Sequence, residues 1–338
     1  MKRLYEAGAY GPQGDCWWAE GAAPLDWPSV TGDTHCDVAV IGGGFTGLST
    51  ALHLAQDGAD VLVLEAGHPG YGASGRNGGF CCLGGAKAPD ALLKRRFGEA
   101  GLAKWQATEK AAIATAEGLI DTHGMEVQRH SRGETQLAHN AKAWRAMQGG
   151  VAEVERAYGV TPELTAPDAL RQEGLGGPWH GAMTIPLGFA LNPRAYHAGL
   201  GRAAADAGAR LTANSPVTGL GRDGTRWRLT TPRGTVSADQ VVIATNGYSS
   251  EDLPDWLRAR TLPVLSSVIV TRPLTQAEQQ AQGWTSGQMS FDTRQLLHYF
   301  RLMPDGRFLF GMRGGLRATP SAGRAIARRI RRDFNALF

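Results

Sequence analysis

The residues best suited to chemistry are three glycines and an acid. Asp37-Val38-Ala39-Val40-Ile41 runs into Gly42-Gly43-Gly44-Phe45-Thr46-Gly47, and Val61-Leu62-Val63-Leu64 ends in Glu65. Two apolar runs around a G-x-G-x-x-G turn predict strand, tight turn, helix and second parallel strand. Gly42 permits the sharp turn, Gly44 lets the backbone approach a pyrophosphate, and Gly47 lets the helix lie close to the sheet. The helix start aims unpaired N–H groups and a partial positive charge at phosphates. Glu65, about 20 residues beyond the glycines, stands where an acid accepts hydrogen bonds from ribose hydroxyls. The glycine pattern alone is a weak signal. Between two apolar strands, with the helical run Leu48, Leu52, Leu54, Ala55 and the terminal acid, it is a strong one.

The elements around this unit must carry it and present it to a reaction partner. Apolar periodicity predicts helices over 89–124, 141–158 and 193–207, the last with Pro193 in its first turn. Strands are expected at 133–137, 209–211, 217–220, 226–230, 235–237 and 240–245, and the last reads as a central strand of the first sheet. From 263 onward the alternation is antiparallel: 265–270, 295–302 and 307–312, with Pro304-Asp305-Gly306 as a turn. The resulting division is an arm over the first domain (1–36), nucleotide-binding parts at 37–88 and 189–252, substrate-domain parts at 89–188 and 253–318, and a terminal helix at 319–338. The fold class is α/β, a Rossmann-like domain interleaved with an antiparallel-sheet α+β domain. In the terminal helix Arg324, Arg328, Arg329, Arg331 and Arg332 alternate with Ile326, Ile330, Phe334 and Leu337, which describes a surface helix with one apolar face.

A chain of 338 residues accommodates two domains, and its 42% hydrophobic and 20% charged residues are those of a globular protein. No apolar run reaches the length of a membrane span. Lys2 and Arg3 are followed by Glu6, Gln13, Asp15 and Glu20, which is not the apolar core of a signal peptide. The four cysteines, Cys16, Cys36, Cys81 and Cys82, form no C-x-x-C pair or spaced framework, so a reduced, cytoplasmic protein is expected. Cys81-Cys82 reads either as a flavin attachment point or redox pair, or as adjacent buried thiols. No zinc pattern, Walker loop or RNA-binding motif occurs, so neither a metal nor nucleic acid is expected.

Three features favour FAD as the dinucleotide. Glu65 repels a 2′-phosphate, which disfavours NADP. A second glycine-rich loop, Gly70-Tyr71-Gly72-Ala73-Ser74-Gly75-Arg76-Asn77-Gly78-Gly79, brings backbone and short donors to another polar ligand segment. Ala244-Thr245-Asn246-Gly247 places small residues where a strand ends near a ligand. The cofactor contacts expected are Gly42, Gly44, Phe45, Thr46, Gly47, Glu65, Ala66, Gly72, Ala73, Ser74, Arg76, Asn77, Gly78, Gly79, Val217, Ala244, Thr245, Asn246 and Gly247.

These residues resemble the FAD-dependent D-amino-acid oxidase and glycine oxidase superfamily, and within it the gamma-glutamylputrescine oxidase-like branch of bacterial amine oxidases. Gly72 to Gly79 matches that branch's loop beside the flavin. Leu191-Asn192-Pro193-Arg194-Ala195-Tyr196 resembles its entry to the next helix. Val241 to Tyr248 resembles its final nucleotide strand, and Pro304 to Gly311 its late hairpin. The likeness runs from about Tyr5 to the last residue. Chains of the family usually continue beyond the position of Phe338 and return to the FAD domain with a glycine-rich segment near the flavin pyrimidine. The expectation is therefore a C-terminally short chain, either a fragment or a protein with an incomplete flavin wall.

The resemblance implies oxidation of a primary or secondary amine, an amino acid or polyamine derivative, to an imine. Oxygen is the expected acceptor and hydrogen peroxide the product. The alternatives are a flavin dehydrogenase with a quinone or protein acceptor, or an inactive FAD-binding fragment. Oligomeric state is left open. Tyr299 and Arg301 lie two apart on a strand and so share a face, with His298 on the other. The two are expected to line the substrate cavity, Arg301 meeting a carboxylate bidentately; the alternative for Arg301 is a solvated strand residue. His298 as a base, and Arg313, are lesser candidates. Arg76 and Asn77 should lie beside the flavin ring, where Arg76 would stabilise a reduced, anionic flavin; the alternative is loop capping. Arg76, Tyr299 and Arg301 are thus the catalytic candidates.

Overall fold

The structure, a computed structural model, describes residues 3–11, 16–20, 25–85 and 88–338. Lys2, Gln13 and Asp15 of the leader argument, and residues 12–15, 21–24 and 86–87 of the expected segments, lie outside the described residues.

The chain begins its regular structure with β1 (Thr34–Ile41), α1 (Phe45–Gln56) and β2 (Val61–Leu64). The glycine loop leads through β3 (Phe80–Cys81) to the long helix α2 (Asp90–Thr122). Then follow β4 (Glu134–Leu137), α3 (Ala141–Tyr158), β5 (Glu163–Thr165), β6 (Ala182–Ile185), β7 (Phe189–Ala190) and α4 (Pro193–Asp206). Strands β8 (Arg210–Thr212), β9 (Gly219–Asp223), β10 (Arg226–Thr231) and β11 (Gly234–Ile243) complete the first sheet. The chain ends with β12 (Ser266–Pro273), α5 (Gln276–Gln282), β13 (Met289–Asp292), β14 (His298–Leu302), β15 (Arg307–Arg313) and α6 (Pro320–Leu337).

The first sheet has the order β8-β2-β1-β11-β10-β9. Strands β8, β2, β1 and β11 are parallel, and β10 and β9 join antiparallel. All four residues of β2 are buried, which is why its apolar run does not alternate. Leu48, Leu52 and Ala55 of α1 share a core with Leu200, Ala203 and Ala204 of α4 on one face. Ala39, Ile41, Leu62 and Leu64 fill the other face with Val30 and Leu229. Helix α4 starts cleanly because Asn192 accepts from the Arg194 and Ala195 N–H groups and Pro193 has no N–H to lose.

The second sheet has the order β12-β15-β14-β13-β4-β6-β5. One face carries Phe300, Phe308 and Phe310 against Ile330 and Phe334 of α6. The five arginines of α6 are exposed, so its apolar face is the docked one.

Four expectations need correction. The segments 235–237 and 240–245 are one strand, because Ala238 stays in register with both Cys36 and Trp227, and it stops at Ile243. Helix α2 is broken by Gly98 at φ 75°, ψ 177°. The second sheet is not wholly antiparallel: β13 and β4 pair in parallel and join its two halves. The N-terminal arm does not lie over the first sheet alone, since Trp18 is buried against Met303 and Leu309 of the second.

Candidate cofactor and active site

The glycine turn is built for close approach. Gly42 has φ +106°, and a Cβ there would lie 2.6 Å from the Ala244 carbonyl oxygen at the end of β11. A Cβ on Gly47 would lie 1.9 Å from the Gly42 carbonyl oxygen, so Gly47 lets α1 pack rather than touching a ligand. Glu65 pins the turn: its carboxylate accepts from Gly43 N–H at 2.8 Å and Gly67 N–H at 2.9 Å. The start of α1 has no side-chain cap of its own, and its Phe45 N–H donates to Ser74 Oγ at 3.0 Å.

The turn opens on a cleft of about 1150 Å³, its mouth included. Of the expected contacts, Gly42, Gly44, Phe45, Thr46, Glu65, Ala66, Gly72, Ala73, Ser74, Val217, Ala244, Thr245 and Asn246 line it. Gly47, Arg76, Asn77, Gly78, Gly79 and Gly247 are not among its lining residues. Asn77 ties the loop to itself: its Nδ2 donates to the Ala73 and Ser74 carbonyls at 3.2 and 3.1 Å, and its Oδ1 accepts from Gly79 N–H at 2.8 Å. Arg76 Nε donates to the Tyr71 carbonyl at 3.1 Å. Gly247 donates its N–H to Asn246 Oδ1 at 2.7 Å.

Sequence reasoning missed Arg3, Tyr10, Tyr71, His197 and Tyr248, which also line the cleft. His197 Nε2 lies 2.7 Å from the Gly43 carbonyl oxygen, an acceptor, so that nitrogen carries the proton. Burial pushes the ring down to about 4, so it is neutral, and its Nδ1 lone pair has no partner among the described residues. The available signal was its place on α4, one turn beyond the Asn192-Pro193 cap.

The loop from Gly72 to Phe80 links this cleft to the second sheet. A Cβ on Gly44 would lie 2.9 Å from Ser74 Oγ, and one on Gly78 would lie 2.7 Å from the Tyr299 ring. Tyr299 packs edge-on against Phe80, its hydroxyl is 2.8 Å from Ser266 Oγ, and Gly311 leaves room for its ring. Burial holds the Tyr299 phenol above its usual range. Arg313 stands opposite Ser266 on β12, half-buried on the Tyr299 side.

Arg301 departs from both expectations. It is 0% exposed, so it is neither solvated nor an open fork for a carboxylate. Its Nη2 donates to the Leu191 carbonyl at 2.7 Å, and its Nη1 lies 3.2 Å from His130 Nε2. Among the described residues its Nε has no partner, and Trp18 and Phe80 flank the guanidinium at 5.5 and 5.7 Å. His130 Nδ1 is 2.7 Å from the Gln128 carbonyl oxygen and must carry the proton, which leaves Nε2 to accept from Arg301. Burial lowers Arg301 to about 9 and His130 to about 4, so at neutral pH a cation faces a neutral ring.

His298 points to the α6 side, where Nδ1 meets Asp292 at 2.8 Å and the ring stacks on Phe310; it does not face the Tyr299 side. Cys81 and Cys82 are held as thiols, Cys81 pushed up to about 11 by burial and Cys82 pushed up further by burial and Glu134. Glu134, another residue the sequence did not flag, is 1% exposed, accepts from Leu83 N–H at 2.9 Å, and is raised to about 7 by burial. Among the described residues, no group of His, Cys, Asp and Glu is placed to hold a metal, and no helix is long and apolar enough to cross a membrane.

The family described as DAO, FAD dependent oxidoreductase, matches residues 37–338. The chain belongs to the DAO family. The probable oxidoreductase OrdL of Haemophilus influenzae is 30% identical over 291 residues, 85% of this chain and 67% of that one. The gamma-glutamylputrescine oxidoreductase of Escherichia coli is 31% identical over 295 residues, 86% of this chain and 66% of that one. The glycine oxidase structure from Geobacillus kaustophilus superposes with a TM-score of 0.64 at 23% identity, covering 83% of this chain and 72% of that one. That from Bacillus cereus gives a TM-score of 0.66 at 20% identity, covering 90% and 78%. This DAO-family chain is thus an FAD-dependent oxidoreductase. Its cleft fits the cofactor: the Gly42–Gly44 cradle leaves no Cβ in the way, Glu65 stands at the end of β2, and the lone pair of the buried His197 Nδ1 is unused among the described residues.

Proposed function

We propose that this protein oxidises the C–N bond of a primary or secondary amine, of the amino-acid or polyamine-derivative class, with oxygen as acceptor. The balanced reaction is amine plus oxygen to imine plus hydrogen peroxide, and water then converts the imine to a carbonyl compound and ammonia or a smaller amine. The observation that carries this reading is the continuous loop from Ser74, at the Phe45 N–H in the cleft, to Gly78, at the Tyr299 ring. That loop joins the cofactor cleft to a second-sheet face bearing Tyr299 and Arg313. The names of the relatives, gamma-glutamylputrescine oxidoreductase and glycine oxidase, support an amine or amino acid as substrate.

Bound FAD supplies the two-electron acceptor. Tyr299, with its phenol held protonated, orients the amine by hydrogen bonding, and Arg313 is the open guanidinium of that face. Phe80 and Trp18 keep water from the Arg301 cation. Arg76, on the linking loop, contributes positive charge where negative charge develops. A strong protein base is unnecessary when the amine binds neutral, since burial disfavours its ammonium form. The first sheet serves as the cofactor domain and the second as the substrate domain. Four unpaired thiols fit a reducing, cytoplasmic setting.

The test is anaerobic mixing with a panel of amines, followed by air. Bleaching of the flavin absorbance by one amine, then recovery with release of one peroxide per turnover, is expected. Bleaching without peroxide on aeration would replace oxygen by a quinone or protein acceptor. No bleaching by any amine or amino acid would overturn the amine assignment.

A further inference from the structure

A dinucleotide brings a diphosphate, and its negative charge must be met in the cleft. The start of α1 offers backbone N–H groups and a partial positive charge, but the nucleotide-binding sheet brings no full positive charge to the cleft. Glu65 is an acid, His197 is neutral, and the start of α1 already gives its Phe45 N–H to Ser74. Among the described residues lining the cleft, Arg3 is the one lysine or arginine. It comes from the segment before the first sheet.

That segment is tied across the cleft. Arg3 Nη1 donates to the Tyr248 carbonyl at 2.9 Å, and its guanidinium lies 4.2 Å from the centre of the Tyr10 ring. The Tyr10 hydroxyl accepts from the Leu4 and Tyr5 N–H groups at 2.9 and 3.1 Å. The Tyr5 hydroxyl donates to the Thr261 carbonyl at 3.0 Å. Gly11 presses on the Tyr71 hydroxyl, where a Cβ would lie 2.9 Å away. Tyr71 and Tyr248 both line the cleft, so the segment is bonded at one end to Tyr248 and passes close to Tyr71 at the other. Arg3 carries five N–H donors, and among the described residues only the Tyr248 carbonyl takes one.

We propose that residues 3–11 are a clasp that retains FAD, in which Arg3 supplies the positive charge opposing the diphosphate and Tyr10 holds Arg3 in place. The proposal rests on the FAD assignment and goes beyond it by making the segment outside the family match part of the cofactor site. Because the Arg3 side chain is exposed, its contribution is screened by salt. Because Tyr10 organises the turn through its hydroxyl, removing that oxygen alone should loosen the clasp while the aromatic face stays.

The experiment measures release of FAD from the full-length holoprotein by the rise of flavin fluorescence after dilution, at low and high salt. Arg3→Ala should release FAD about tenfold faster at low salt, as for one partly screened charge-assisted contact. That gap should narrow at high salt. Arg3→Lys should recover most of the retention, and Tyr10→Phe should fall between. Circular dichroism of each apoprotein checks that the fold is intact. Wild-type release rates in Arg3→Ala and Tyr10→Phe would overturn the clasp while leaving the FAD assignment standing. A gap that ignores salt and is equal in Arg3→Lys would overturn the charge role. A wild-type protein that takes up no FAD would instead sink the assignment on which the clasp rests.

Discussion

The cofactor cleft and the Tyr299 side of the second sheet both keep polar groups away from water, and they do it differently. In the cleft the backbone faces the ligand and side chains hold the backbone: Glu65 grips Gly43 and Gly67, and His197 grips Gly43. On the second sheet side chains face one another. Arg301 is enclosed by Leu191, His130, Trp18 and Phe80, and Tyr299 is tied to Ser266. A site made of backbone tolerates changes in many side chains but not an added Cβ. A site made of enclosed side chains loses most when one charged member is removed. The two regions should therefore fail in different ways.

The sharpest break is expected in the cleft. Gly42→Ala puts a Cβ 2.6 Å from the Ala244 oxygen at φ +106° and should weaken FAD binding by roughly 100-fold, the equivalent of about 3 kcal/mol of strain. Titration of apoprotein with FAD measures it; binding within a factor of two of wild type would break the contrast. Next comes Arg301→Ala. It leaves the Leu191 carbonyl and His130 without their donor and opens a void, so it should destabilise the fold by about 3 kcal/mol. Urea unfolding reads this, and a selective rise in KM for acidic substrates with unchanged stability would restore Arg301 as a substrate anchor. Between the two regions, Arg76→Ala should slow anaerobic flavin reduction about tenfold with little change in stability. A wild-type rate in stopped flow would move Arg76 to a purely structural role in its loop.

The smallest effect is on pH dependence. His130 and His197 are held near 4 in the folded protein against an ordinary imidazole value of about 6.5, so the unfolded chain binds more protons between those limits. Their contribution to stability is present above about 6.5 and is lost as the pH falls through that window. Glu134, raised to about 7, has the opposite sign: its contribution is present below its unfolded value and is lost as the pH rises through about 7. Glu134→Gln should therefore steepen the acid loss of melting temperature between pH 7 and 5, and His197→Gln should flatten it. Unchanged slopes in both would show that these groups are solvated in the native protein.

Much of the nucleotide-binding unit was legible because its signals are local. β1, the turn, α1 and β2 follow from apolar runs and glycines within some thirty residues, and the periodicity over 141–158 matches α3 to its ends, where the structure shows Asn140 and Gly159 as caps. Strands β5, β6 and β13 escaped notice because each is three or four residues long and exists only through partners far away in the chain. Strand alternation put Tyr299 and Arg301 on one face and His298 on the other, but alternation carries no information about what closes over a face.

The order of residues by itself determined the glycine cradle, the acid at the end of β2, the FAD family and the interleaving of strands between two sheets, since each depends on spacing along the backbone or on apolar period. Only the tertiary structure decided that Arg301 is sealed, that His197 is neutral beneath Gly43, and that Arg3 reaches the cleft. Those outcomes turn on burial and on hydrogen-bond partners more than a hundred residues apart, where desolvation and charge act through space rather than along the chain.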